Sequence, residues 1–189
     1  NAIAAQGARV ICLTGGSGGL FYGAEKGADM DGIELRIFTA DDADWVIARH
    51  AALYAAEEGY DETFAALVAQ IVGAFLAAHD PAREKGWIAL RGDARLGSIF
   101  VVREEDAVAK LRLVLLEPEA RGTGLARHML QTAMGSARAA HYSKMRLWTH
   151  ESHTAAGRLY ARAGFRLISS TPARAFGQNV VDQIWETDL

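Results

Sequence analysis

Residues 112–126 read R-L-V-L-L-E-P-E-A-R-G-T-G-L-A, from Arg112 to Ala126. The run Leu111 to Leu116, broken only by Arg112, has the look of a mostly buried strand. Glu117-Pro118 ends it, because proline cannot donate to a sheet ladder. Arg121, Gly122 and Gly124 follow, and a helical pattern predicts a helix over 122–141 with Leu125, Met129, Ala133 and Ala137 inward. Glycine lets the backbone approach a ligand that a Cβ would repel. The first turn of a helix leaves amide N–H groups unpaired at the positive end of its dipole, which suits a pyrophosphate. Arg121 adds a planar, permanent cation. Strand, basic-glycine turn and helix together read as an anion cradle.

The rest of the pattern extends from that turn in both directions. Ile33 to Phe38 alternates as a strand, and Thr39, Asp41 and Asp42 are candidate N-caps for a helix running to about Glu58. Gly59-Tyr60-Asp61 breaks it, and Phe64, Leu67, Val68, Ile71, Val72, Phe75 and Leu76 mark a second helix. Gly86 to Arg91 and Arg95 to Arg103 read as strands joined by a turn, and Ala107 to Leu116 enters the cradle. Downstream come a strand from Lys144 to Thr149 and a helix from Ser152 to Ala163 ended by Gly164. Strands from Phe165 to Ser170 and from Val180 to Thr187 complete the series.

Bulk properties narrow the class. The 189 residues suit one domain, half of them are hydrophobic, and the net charge is −3 with no basic block. Nucleic-acid binding by this chain alone is therefore not expected. No apolar run reaches bilayer length, so no membrane association is expected. The single cysteine, Cys12, fits a reducing, cytoplasmic setting.

Residues 1–32 stand apart, holding eight of the 19 glycines. They read as a peripheral or disordered leader, with the domain proper over 33–189. A second reading pairs a strand at Arg9 to Thr14 with a phosphate turn at Gly15 to Gly19, whose T-G-x-x-x-G-L spacing resembles the glycine turn of short-chain dehydrogenases. The further strand–helix repeats of such a fold do not follow.

The order of elements, with R-G-T-G-L-A at the fourth strand-to-helix turn, resembles the GNAT superfamily of N-acetyltransferases. Two motifs carry the resemblance: L-L-E-P-E-A-R-G-T-G-L-A at Leu115 to Ala126, and A-A-G-R-L-Y-A-R-A-G-F at Ala155 to Phe165. More closely, E-G-Y-D-E-T-F, W-I-A-L, V-A-K-L-R-L and F-G-Q-N-V-V-D-Q-I-W-E resemble the acetyltransferase half of fusions with MarR-type regulators. No helix-turn-helix accompanies them here. The resemblance implies an α/β GNAT fold, a mixed sheet of about seven strands flanked by about four helices.

It also implies acetyl-CoA as co-substrate and a primary amine of a small molecule, peptide or protein as acceptor. Val114, Leu115 and Leu116 would line the pantetheine arm, with a backbone N–H near Leu116 as catalytic oxyanion donor. Arg121, Gly122, Thr123, Gly124, Leu125 and Ala126 would hold the pyrophosphate. Tyr160 matches the family's tyrosine, and a phenol with a pKa of about 10 can protonate a departing thiolate. His153 stands where many relatives have a cofactor-contacting asparagine; it either substitutes as a donor or caps its helix from the surface. For the base, His150, Glu151, Glu104 and Glu105 are open. Glu58, Tyr60 and Asp61, with Glu57 and Glu62, would face the acceptor and favour a cation. His150, Glu151 and His153 lack H-E-x-x-H spacing, and no metal is expected. Pairing into a homodimer is common in the family. A module that binds acetyl-CoA as a sensor, without turnover, is the alternative.

Overall fold

A computed structural model describes residues 32–189, so the readings placed on residues 1–31 fall outside the described part. Among the described residues seven strands form one sheet: β1 (Ile33–Ile37), β2 (Lys85–Arg91), β3 (Ala94–Glu105), β4 (Val108–Leu116), β5 (Lys144–His150), β6 (Arg166–Ala175) and β7 (Gln178–Asp188). Their order is β1-β2-β3-β4-β5-β7-β6. Only β4 and β5 run parallel, so the sheet is mixed. Four helices flank it: α1 (Ala43–Glu58), α2 (Glu62–Ala78), α3 (Leu125–Ala139) and α4 (Thr154–Arg162).

The strands at the centre are apolar on both faces because helices cover both. Leu113 and Leu115 join a cluster with Val46, Tyr54, Phe64 and Val68 of α1 and α2. Val114 and Leu116 join the opposite cluster, with Leu125, Met129, Ala133 and Ala137 of α3 and Tyr160 of α4. Side chains two apart share a face. That alternation turns the near-continuous leucine run of β4 into the partition between two cores.

The turn between α1 and α2 follows directly from its residues. Gly59 takes the left-handed conformation (φ 69°) that ends α1, and its N–H bonds the Tyr54 carbonyl. Asp61 then caps α2, its side chain accepting from the Thr63 N–H at 3.0 Å. At the other end of α1, Asp42 is wholly buried and receives Arg36, Arg95 and the Thr39 N–H. Burial opposes the ionised form of Asp42, but these bonds outweigh it and hold its pKa well below the usual carboxylate range.

Several boundaries differ from the sequence reading, three of them in ways that bear on the site or the sheet edge. Helix α3 starts at Leu125 and not at Gly122, since Gly122 and Gly124 are left-handed (φ 77° and 91°) and cannot continue a right-handed helix. Helix α4 starts at Thr154, not Ser152. Strand β6 runs on past Ser170 to Ala175, with Pro172 opposite Val181 of β7. Proline is accommodated because β6 is the edge of the sheet.

Candidate active site

Strands β4 and β5 are paired only where they begin. Val108, Ala109 and Lys110 face Lys144, Met145 and Arg146, and beyond them no ladder joins the two. Leu111–Leu116 of β4 and Leu147–His150 of β5 therefore flank a wedge-shaped gap in the middle of the sheet. The far edges stay anchored: β5 pairs with β7 along its whole length, and β4 with β3.

A bulge in β4 shapes the near wall. Ser98 faces Leu115 and Phe100 faces Arg112, so β4 carries an extra residue there. Leu113 has φ 48°, a strained conformation for a leucine. The buried Ser98 hydroxyl holds it by donating to the Leu113 carbonyl at 2.7 Å. Gly97 allows the close approach, since a Cβ there would lie 2.5 Å from the Leu115 carbonyl oxygen. After the bulge, Glu117 N–H bonds the Leu96 carbonyl across on β3. Alternation turns the preceding N–H, that of Leu116, to the opposite side, toward the gap. No sequence signal marks Leu113, because leucine has no preference for positive φ.

At the mouth of the gap lies the glycine turn. Pro118–Ala120 form a single 3-10 turn, and the Thr123 hydroxyl ties the loop by donating to the Ala120 carbonyl at 2.8 Å. A Cβ on Gly122 would meet nothing within 4 Å, so the space beside that backbone is open. Gly124 is the N-cap of α3 and has no side chain to cap it; of the first-turn amides, that of Leu125 reaches the Thr123 hydroxyl at 3.4 Å. This is a fitting seat for a pyrophosphate. Ala126 is half-buried and Leu125 is core. Arg121 sits against Glu57 of α1 at 2.8 Å and reaches the Leu116 carbonyl at 3.4 Å. Arg49 of α1 clamps Glu117 with two 2.6 Å bonds, which fixes the end of β4 beneath the turn.

Two histidines occupy the opposite side of the gap. His150 ends β5 and His153 precedes α4, and each is only 1% exposed. The Tyr60 hydroxyl makes a short hydrogen bond with His150 Nδ1. His150 Nε2 lies 3.2 Å from Asp182 Oδ1 of β7. Burial, and then the neighbouring His153, push the His150 pKa down to about 4, against the pull of Glu58. His153 Nδ1 is 3.2 Å from the Thr149 hydroxyl, and Nε2 is 3.4 Å from Glu58 Oε1. Its bond with His153, aided by Ser152 and opposed by burial, keeps Glu58 ionised below the usual carboxylate range.

Above this pair opens a cleft of about 930 Å³, walled by the α1–α2 turn, the β5–α4 turn and the β6–β7 hairpin. Glu58, Tyr60, Glu151, Ser152 and Arg174 are among its lining residues. Of the three residues expected to face an acceptor, Glu58 and Tyr60 do line the cleft. Asp61 instead caps α2, and its carboxylate packs on Gly177. Glu57 turns to Arg121. His153 is buried rather than capping from the surface, and its side chain makes no capping bond. Glu104 and Glu105 lie at the closed end of the β3–β4 hairpin, bonded to Lys110 and Arg146, far along the strands from the gap. Tyr160 is fully buried in the cluster of Val114, Leu116 and Leu125, its ring 5.7 Å from that of Phe165.

Among curated protein sequences nothing matches the chain. Solved structures match widely. An acetyltransferase from Streptococcus agalactiae is 20% identical and covers 84% of this chain and 99% of its own, with a TM-score of 0.66. A GNAT acetyltransferase from Elizabethkingia anophelis, solved with acetyl-CoA, is 15% identical over 84% of this chain and 99% of its own (TM-score 0.61). An acetyltransferase from Salmonella typhimurium, solved with its cofactor acetyl-CoA, is 18% identical over 84% and 94% (TM-score 0.65). At these identities the structures establish the shared fold. The sequence profile of the Acetyltransferase (GNAT) family matches residues 39–165, from just ahead of α1 to the residue before β6. With the split sheet and the glycine turn at its mouth, that match places the chain in the GNAT acetyltransferase family.

Proposed function

We propose that this protein transfers the acetyl group of acetyl-CoA to a primary amine of a small molecule or peptide. The observation that carries the reading is the gap between β4 and β5, bordered where β4 ends by a left-handed glycine turn and where β5 ends by an acidic cleft. The pyrophosphate binds the turn from Arg121 to Ala126. The pantetheine arm takes the place of the missing β5 rungs against Val114, Leu115 and Leu116. Acetyl-CoA supplies an activated acyl group, so the protein positions the reactants and manages protons. The Leu116 N–H, turned toward the gap, polarises the thioester carbonyl. Tyr160 is the general acid for the departing thiolate, supported by its burial in the cluster that also holds Val114 and Leu116.

The acceptor enters the cleft over Glu58 and Tyr60. An ionised Glu58 beside Glu151 favours a cationic amine. His153, whose ring faces Glu58, serves this side of the site. Kinship with the acetyltransferase half of MarR-type fusions rests on the shared segments around Tyr60, Trp87, Lys110 and Asp182. A cytoplasmic setting, and a homodimer paired along the β6 edge where Leu167 and Ile168 are exposed, belong to the same proposal.

Isothermal titration of acetyl-CoA, run beside thiol release with polyamines, amino acids, aminoglycosides and basic peptides, tests the reading. Binding with thiol release for one acceptor class is the expected result. Tyr160→Phe then lowers turnover by about 100-fold or more while leaving affinity for acetyl-CoA intact. No binding would refute the cradle and the function together.

A further inference from the structure

The acetyl transfer described above leaves the destination of the amine's proton open. We propose that Tyr60, His150 and Asp182 form a relay that takes this proton, with Tyr60 meeting the amine and His150 receiving the charge. The inference rests on the acetyltransferase reading of the site.

Three separate elements converge to build the relay. His150 and Asp182 are direct partners across the β5–β7 ladder, so the sheet register itself sets the imidazole beside the carboxylate. Tyr60 comes from the α1–α2 turn, where Gly59 reverses the chain and the Tyr60 N–H is tied to the Tyr54 carbonyl. The Tyr60 ring is held by Phe64 at 5.2 Å and Phe176 at 5.1 Å, which aims its hydroxyl at His150 Nδ1. Tyr60 is nearly buried yet contributes to the wall of the cleft. It therefore connects the cleft with a histidine that solvent does not reach.

The contacts provide a path for a proton from Tyr60 through His150 toward Asp182. If Nδ1 accepts from the phenol, the ring hydrogen is on Nε2, facing Asp182. The 3.2 Å separation there is in ion-pair range, so a charge formed on the ring meets a carboxylate. The groups facing His150 are Tyr60 from the turn, Asp182 from β7, His153 before α4 and Glu58 from α1. Burial keeps the imidazole neutral at neutral pH, so its lone pair is available.

The step balances as follows. The bound ammonium first gives one proton to solvent, and the neutral amine then attacks the carbonyl carbon, forming the C–N bond as the C–S bond breaks. Tyr160 gives its proton to the sulfur. The nitrogen sheds a proton to the Tyr60 oxygen while the Tyr60 proton passes to His150 Nδ1. His150 is left as imidazolium beside the Asp182 carboxylate, and Tyr160 as phenolate. One proton exchanged through solvent restores both. Tyr60 touches the substrate; Asp182 is a positioning residue.

The test uses the full chain and the alkylamines that wild type accepts in the thiol-release panel. Each is paired with its O-alkylhydroxylamine analogue, whose nitrogen is far less basic. Tyr60→Phe, which keeps the ring, and His150→Gln are expected to lower kcat/KM for the alkylamine by about 100-fold. The loss should shrink to a few-fold with the hydroxylamine, while acetyl-CoA affinity by titration stays within about two-fold. Asp182→Asn should give a smaller loss of the same selectivity. Equal losses for both acceptors, or none, would overturn the relay and leave acetyl transfer standing. A wild-type protein that binds acetyl-CoA but releases thiol to no amine overturns both. Thermal melts identify any variant that fails to fold, and Tyr60→Phe alone then decides.

Discussion

The Ser98 hydroxyl donates a 2.7 Å hydrogen bond to the carbonyl of Leu113, the residue whose positive φ marks the bulge in β4. A buried side chain on one strand thus stabilises a strained backbone on the next. Ser98→Ala leaves that carbonyl unsatisfied and should cost about 1–3 kcal/mol in urea unfolding. Gly97→Ala drives a Cβ to 2.5 Å from the Leu115 carbonyl oxygen. It should cost a similar 1–3 kcal/mol by overpacking and reduce acetyl-CoA affinity as well, since the strands must shift. Equilibrium unfolding and calorimetric titration of both variants check this.

Gly122 tests the cradle with little steric interference from the protein itself. Its φ of 77° penalises any Cβ, yet the space beyond is open. Gly122→Ala should therefore cost only about 1–2 kcal/mol of stability. Its acetyl-CoA affinity should fall by tenfold or more, because the new methyl enters the pyrophosphate seat. A variant that is destabilised but binds normally would place the cofactor elsewhere.

Arg121 is engaged by Glu57 at 2.8 Å. An acidic partner competes with a pyrophosphate for the same guanidinium. Glu57→Gln should tighten acetyl-CoA binding by a few-fold, and Arg121→Ala should weaken it by about tenfold with a shallower salt dependence. Titrations at two ionic strengths separate the two effects.

Stability should fall in mildly acidic solution. Burial lowers the pKa of His50 to about 4, opposed by its bond to the Val46 carbonyl, and that of His150 likewise to about 4. In the unfolded chain both titrate near pH 6.5. Between those values the unfolded state binds more protons, so stability is complete above about pH 6.5 and is lost as pH falls toward about 4. The loss is at most about 3 kcal/mol per histidine. Denaturation midpoints from pH 7.5 down to about 4.5 should show this slope, and His50→Gln should remove roughly half of it.

The order of strands and helices was legible because periodicity and punctuation agree along most of the chain. Leu125, Met129, Ala133 and Ala137 are all fully buried, as their spacing required. Gly59 and Asp61 set the α1–α2 turn by their own backbone preferences. What escaped was whatever depends on partners distant in sequence. Leu113 looks like any strand leucine, and only Ser98 and Gly97 on β3 make its bulge visible. His150 and His153 resemble polar loop residues until α1 and β7 bury them against Glu58 and Asp182. The extension of β6 through Pro172 needed the knowledge that β6 is an edge. Glycines read as the beginning of α3 were the left-handed turn before it.

The two halves of the sheet share a seam only three residue pairs long, at Val108–Lys110 and Lys144–Arg146. A molecule lying between β4 and β5 would supply the rungs that the chain itself does not, and so act as a removable strand. Occupancy would then govern how firmly the N-terminal and C-terminal halves are coupled. Amide hydrogens along the gap-facing edges of Leu111–Leu116 would exchange faster than those facing β3, and slow selectively when the gap is filled.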